Sequence, residues 1–334
     1  MTARETSQSR VNVSRVTMAE LFAMWRKYGA DWRWHNPFVT PPWLAAWWSC
    51  FGDGHELLLL RISLDDMDIG VAPLMVQDGS ARIIGSTDLC DYGDCITAPG
   101  GQHWFYRELL KFLAAEGLRQ LVLQQIRPDS SAYRHVMPAA EESGWKVHVN
   151  RQNISLQLDL PSSWEHYLEM LGAKQRHEAR RKLRRVHEAG QVDLVNVGAG
   201  SEILPAIDRF LHLFRHSRPD KMGFMTESRE KFFRTLAHEL AQGEMLSLIG
   251  LELDGQQAAA LFCVESGDTL YLYNNGFDPR FRAISLGVVS KLLSIKMSIE
   301  AGMRSYDFLS GTEQYKYRLG GSEVPLYECV IELK

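Results

Sequence analysis

No stretch of this chain approaches the ~18 consecutive apolar residues that a membrane-crossing helix needs. Its opening, MTARETSQSRVNVSRVT, lacks the apolar centre of a secretory signal. Cysteine is sparse and scattered: Cys50, Cys90, Cys95, Cys263 and Cys329 form no Cys-x-x-Cys pair and have no histidine at zinc-ligand spacing. Reduced, buried thiols and no bound metal follow as expectations, with the cytoplasm as the default compartment. A basic surplus is also missing. The formal net charge is −4, which argues against a DNA partner and against general nucleic-acid binding, because neutralising phosphates takes excess lysine and arginine.

What is present is an ordinary globular composition, 45% apolar and 23% charged over 334 residues. That is clear of disordered and fibrous classes, and the length suits two lobes of about 150–170 residues, each with its own interior. Six of the nine tryptophans (Trp25, Trp32, Trp34, Trp43, Trp47, Trp48) crowd one short N-terminal region. Large aromatics are mostly buried, so a Trp-rich core is the first expectation. The alternatives are an apolar groove for a lipid and peripheral contact with the inner membrane face.

In the second half, patterning predicts strands over Leu246–Leu253, Gln257–Val264 and Thr269–Asn274, joined by Asp254-Gly255 and Ser266-Gly267-Asp268 turns. A buried helix over Ser285–Glu300, ended by Gly302, and a strand over Arg304–Leu309 follow. The intervening helix makes the last connection long enough for parallel pairing, giving a β-β-β-α-β mixed sheet. The first half repeats the order: strands over Leu57–Ser63, Ile69–Val76 and Ala81–Ile84, a helix over Trp104–Glu116 and a strand over Leu121–Ile126. No residue identity accompanies the repeat, so element order alone suggests duplication of one α/β unit. Asn153–Leu160 alternates as a half-buried strand, and Ser162-x-x-Glu165 reads as a capping box opening a helix with Trp164, Tyr167, Leu168 and Leu171 on its apolar stripe. Lesser helices are expected at Met18–Tyr28, Pro42–Cys50, Ile203–His216 and Arg229–Ala241. The fold class is thus α/β with mixed sheets, in two lobes, 1–160 and 161–334.

This element order creates a place for a thioester donor. Where the third strand diverges from its parallel neighbour a gap opens, and the helix between them aims its N-terminus into it, where backbone N–H groups and the helix dipole favour a pyrophosphate. Arg280 and Arg282 lead into Ser285-Leu286-Gly287 there. The corresponding first-lobe segment, Thr87–Gly101, is acidic through Asp88, Asp91 and Asp94 and would repel a pyrophosphate. The donor therefore belongs in the C-terminal lobe.

The series Asp278…Ser285-Leu286-Gly287, Glu300-Ala301-Gly302 and Tyr306-Asp307-Phe308-Leu309-x-Gly311-x-Glu313-x-Tyr315-Lys316 resembles the CelD-like, Fem-related acyltransferases of the GNAT superfamily. The likeness extends to Lys174-x-Arg176…Arg180-Arg181-x-Leu183-Arg184-Arg185 and to Asp91-Tyr92-x-Asp94, so it covers most of the chain. The family's Ser-Pro-Gly is here Ser285-Leu286-Gly287. The resemblance implies tandem GNAT lobes, an acyl-CoA, related thioester or aminoacyl-ester donor, and an amine acceptor lying between the lobes. CelD-like relatives are linked with envelope polysaccharide. Fem-like ones draw amino acids from charged tRNA, and some similar chains N-acylate long-chain bases in bacterial ceramide formation.

For the matched residues, acyl-transfer chemistry suggests roles. Lys316 is a cation for the oxyanion or leaving group, or else a surface lysine with its stem on Tyr315. Asp91, with Tyr92 and Asp94, takes the proton of the amine or holds its ammonium, or else forms an Asx-type turn around Gly93. Asp307 and Glu313 are second candidates for the base. Seven Lys/Arg between Lys174 and Arg185 make a basic helix, either a solvated face or an anion contact through Lys174, Arg176, Arg180 and Arg181. The anion would be a nucleotide-sugar or lipid phosphate, an anionic membrane surface or, least in keeping with the overall acidity, tRNA. A non-catalytic module binding an anionic precursor is the competing function.

Overall fold

The structure, a computed structural model, describes residues 10–32 and 34–333. The polar stretch 1–9, read above for targeting signals, lies outside the described residues. The chain forms two compact units, Met1–Gln152 with Pro325–Lys334, and Asn153–Val324.

The first unit contains β1 (Val11–Arg15), α1 (Met18–Tyr28), α2 (Pro41–Phe51), β2 (Glu56–Leu64), β3 (Met67–Gln77), β4 (Ser80–Ile83), β5 (Ile96–Thr97), α3 (Gln102–Ala115), β6 (Gln120–Ile126) and α4 (Ser131–Glu142). Its sheet runs β1-β2-β3-β4-β6, antiparallel except that β4 and β6 pair in parallel from Ser80–Gln120 to Arg82–Val122. This is the expected β-β-β-α-β order, with α3 burying Phe105, Tyr106, Leu109, Leu110 and Leu113. Trp32, Trp34, Trp43 and Trp47 are buried, and Trp25 and Trp48 are partly exposed. The aromatic crowd is therefore mainly core.

The second unit begins within β7 (Lys146–Asp159) and continues through α5 (Trp164–Met170), α6 (Ala173–Ala189), β8 (Val192–Val197), α7 (Ile203–Ser217), α8 (Pro219–Phe224), α9 (Glu227–Gln242), β9 (Leu246–Leu253), β10 (Gln256–Ser266), β11 (Thr269–Phe277), α10 (Leu286–Glu300), β12 (Ser305–Ser310) and α11 (Gln314–Arg318) into β13 (Ser322–Glu332). Its sheet is ordered β7-β12-β11-β10-β9-β8. The amphipathic α7 buries Ile207, Phe210, Leu211 and Phe214, each worth about 1.5–3 kcal/mol when fully removed from water.

Two expectations are corrected. The boundary near Leu160 and the lobe 161–334 do not hold. The second half of β7 already belongs to the second unit, and the end of the chain returns to the first because Tyr327–Glu332 pairs antiparallel with β6. The cap of α5 is Ser163, not Ser162: its hydroxyl accepts the His166 N–H at 3.2 Å. The strands β1, β5, β8 and β13 and the helices α4, α8 and α11 lie outside the expected elements.

Candidate active site

In the second unit β11 and β12 pair in parallel only at Thr269–Ser305, Leu270–Tyr306 and Tyr271–Asp307. Beyond that point β11 follows β10 as far as Phe277, while β12 follows β7 across a register shift between Asp307 and Ser310. The strands part, and the anticipated gap opens between them. The shift is fixed locally: the Asp307 carboxylate accepts the Leu309 N–H at 2.7 Å, holding Leu309 at φ +61°. On the other bank, a Cβ at Gly276 would lie 2.4 Å from the Phe214 nitrogen, so only glycine lets α7 lie against the diverging end of β11.

α10 begins at this gap; the amides of Val288 and Val289 bond the Ser285 carbonyl at 2.9 and 3.1 Å, so the amides left for a ligand in its first turn are those of Leu286 and Gly287. Ser285, at φ 60°, is its N-cap, yet its hydroxyl caps nothing. It accepts instead from the Lys182 ammonium of α6 at 3.0 Å. Leu286, standing where the family has proline, is the first helical residue and fully buried. Proline's missing N–H would not be used at that position, so the exchange removes no hydrogen bond. Gly287 packs so closely that a Cβ would sit 3.0 Å from the Phe277 ring. Arg282 is exposed. Arg280, 74% exposed, is held by Asp278 at 2.7 Å, and that hydrogen bond keeps the Asp278 carboxyl below its ordinary range.

The basic helix is divided by its contacts. Lys174 and Arg180 are exposed, Arg181 is paired with Glu178 at 2.7 Å, and Arg176 reaches the Glu169 carbonyl at 3.4 Å. Lys182 alone of the run bonds to the α10 N-terminus among the described residues.

Asp307 on β12 and Glu313, Tyr315 and Lys316 on the segment after it lie close along the chain, but not in the expected roles. Lys316 is 2% exposed. Its ammonium donates to the carbonyls of Leu309 (3.1 Å), Ser310 (2.6 Å) and Gly311 (3.2 Å) and pairs with Glu313 at 3.0 Å. Four acceptors meet three protons, leaving none for an oxyanion or a leaving group; Lys316 ties down the loop. Asp307, 1% exposed, likewise shapes that loop. Glu313 keeps a side-chain exposure of 53%.

The other candidates lie in the first unit, on the segment between β4 and β5. Tyr92 is buried, with the Arg127 guanidinium 5.1 Å from its ring centroid. Asp94 does not hold an ammonium: its carboxylate accepts from the N–H groups of Cys95 (2.8 Å), Ala132 (2.8 Å) and Ser131 (3.1 Å), capping α4. Burial pushes this carboxyl up to about 7 against those three amides. Asp91 is half-buried beside them.

Sequence reasoning missed Lys291. It is 4% exposed on α10, donating to the Asn275 side-chain oxygen at 3.1 Å and the Gly287 carbonyl at 2.6 Å, with the Tyr315 ring centroid 4.7 Å away. Lys221 of α8 donates to the Asn275 backbone carbonyl. Burial, then Lys221, lowers Lys291 to about 7, and burial raises the Tyr315 phenol. The available signal was a lysine set among Val288, Val289, Leu292 and Leu293 on a helix read as buried.

Residues 173–317, running from α6 into α11, match the acetyltransferase (GNAT) domain family. The crystal structure of FemX is similar over 95% of this chain and 96% of its own, with a TM-score of 0.68 at 11% identity. The C-terminal domain of a putative lysylphosphatidylglycerol synthetase from Agrobacterium fabrum gives 0.61 at 11% identity, covering 94% of this chain and 92% of that one. A conserved protein of unknown function from Bacteroides thetaiotaomicron gives 0.60 at 11%, covering 97% and 100%. The fold over nearly the whole chain is thus the FemX fold, as the resemblance implied. No curated protein matches in sequence.

Proposed function

We propose that the protein is an N-acyltransferase that moves an acyl group from acyl-CoA, or a related thioester, to an amine of an envelope precursor, an amino sugar or a long-chain base. The observation that carries the reading is the gap where β11 and β12 separate beyond Tyr271 and Asp307, with the open first turn of α10 at its mouth. The amides of Leu286 and Gly287 at the helix N-terminus favour a phosphate, and Arg282 and Lys182, the latter shared with Glu178 at 3.0 Å, add positive charge. Acidity at Asp88 and Asp91 makes the first unit the poorer host for a pyrophosphate. In the reaction the amine nitrogen attacks the thioester carbonyl, a C–N bond forms, the C–S bond breaks and free thiol leaves. A lipid amine would bring the protein to the inner membrane face as a peripheral partner.

Thiol release from acyl-CoA donors of graded length, with amino-sugar and long-chain-base acceptors and mass detection of the amide, tests this. Release that requires both substrates supports it; no release with any pair overturns it and, if donor binding persists, leaves a non-catalytic binding module. A second reading, an aminoacyl ester of tRNA as donor, is supported by the FemX fold and by the exposed Lys174, Arg180, Arg184 and Arg185 on α6. Amide formation from charged tRNA but not from acyl-CoA would select it.

A further inference from the structure

Lys291 has a neighbour on each bank of the gap. Its stem rises from α10, its ammonium bonds the Asn275 side chain on the diverging part of β11, and the Tyr315 ring of α11, on the bank beyond β12, lies 4.7 Å away. We propose that Lys291 is the proton-transfer group of acyl transfer, taking the proton of the attacking amine and passing it to the departing sulfur. This rests on the gap being the acyl-donor site.

The bonding around the nitrogen suits that role. The Asn275 oxygen and the Gly287 carbonyl take two N–H donors. The remaining position is a third proton in the ammonium and a lone pair in the neutral amine. The group can therefore change protonation state without breaking either bond. Its electrostatic surroundings allow both states near neutrality: burial and the Lys221 and Lys316 ammoniums oppose the charge, Glu313 favours it, and the balance lies at about 7. The nearby alternatives are committed. Lys316 has given its protons to carbonyls, Asp307 holds Leu309, and the Tyr315 phenol is pushed upward by burial.

The step balances. The amine nitrogen attacks the carbonyl carbon and the C=O π pair moves to oxygen. Neutral Lys291 removes the nitrogen's surplus proton. The oxyanion collapses, the C–S bond breaks with its pair on sulfur, and the Lys291 ammonium protonates the sulfur. Amide and thiol leave, and Lys291 is again neutral.

Two variants and a direct titration test the proposal. Lys291→Met keeps the volume and removes the amine. Lys291→Arg keeps a cation that does not deprotonate. Both are expected to lose about 10²–10⁴-fold in kcat, with unchanged affinity for a thioether analogue of acyl-CoA, and the wild-type rise of kcat through about pH 7 should vanish in both. Lysine labelled with 13C at the ε-carbon, with the Lys291 signal assigned by its loss in Lys291→Met, should show that signal titrating near neutrality. A structural cation would instead be rescued by arginine. A Lys291 signal that stays protonated above about pH 10, or variants that release thiol like the wild type, would overturn this proposal alone. Wild-type protein that releases no thiol from any donor would overturn the acyl-transfer reading and take this proposal with it.

Discussion

The Lys182 ammonium donates to the Ser285 hydroxyl across 3.0 Å, joining the basic helix α6 to the N-cap of α10. A charge placed at the open end of a helix adds to the attraction those amides already exert on an anion. Lys182→Gln is therefore expected to weaken binding of an acyl-CoA analogue about tenfold, the order of one charged hydrogen bond. It should also flatten the dependence of that affinity on salt. Calorimetric titration at two ionic strengths checks this, and equal affinity in both proteins would detach α6 from the donor.

Lys316→Met is expected to act on stability before activity. The substitution leaves the carbonyls of Leu309, Ser310 and Gly311 without their buried donor, a loss of about 2–4 kcal/mol. Chemical denaturation of wild type and variant measures it. A variant of unchanged stability with a collapsed kcat would return Lys316 to the chemical step.

Stability should also carry the signature of Lys291. Its pKa is lowered from 10.5 to about 7 in the folded protein, so between those values the unfolded chain binds more protons. Stability from this residue therefore rises with pH across that window, at a limiting slope of about 1.4 kcal/mol per unit, and is flat below it, where both states are protonated. The difference in unfolding free energy between wild type and Lys291→Met, followed from pH 6 to 10, should move in favour of wild type as pH rises. A constant difference contradicts a neutral buried lysine.

Gly276→Ala tests the bank of the gap itself. The added Cβ meets backbone atoms of Leu213 and Phe214 at 2.4–2.7 Å, and backbone does not yield as a side-chain tip would. Forced repacking costs about 1–3 kcal/mol. The expected result is a lower melting temperature with weakened donor binding, and a variant as stable as wild type would show that α7 does not pack there in solution.

The repeated β-β-β-α-β order was legible because it depends on local patterning. Period-2 alternation, Asp-Gly turns and one long apolar helix mark the elements from Leu246 to Ser310 whatever lies around them. The gap followed from that order, since a strand reached through a helix pairs in parallel and can diverge. The basic run and the Ser285–Gly287 turn were visible for the same reason.

Tertiary structure decided which charges remain available for chemistry. Lys316 and Lys291 are both lysines in the second unit, and the family resemblance pointed to Lys316, with Asp307 and Glu313. Folding surrounds Lys316 with carbonyls that hold all its protons and buries Lys291 between two acceptors with one position left over. Asp94, read as an amine ligand, meets the first turn of α4, and residues 325–334 return to the first unit. Each outcome depends on partners distant along the chain. A residue's type and its local pattern fix the element it joins, but hydrogen-bond saturation and desolvation fix its protonation and reach, and these are set only when separated segments pack together.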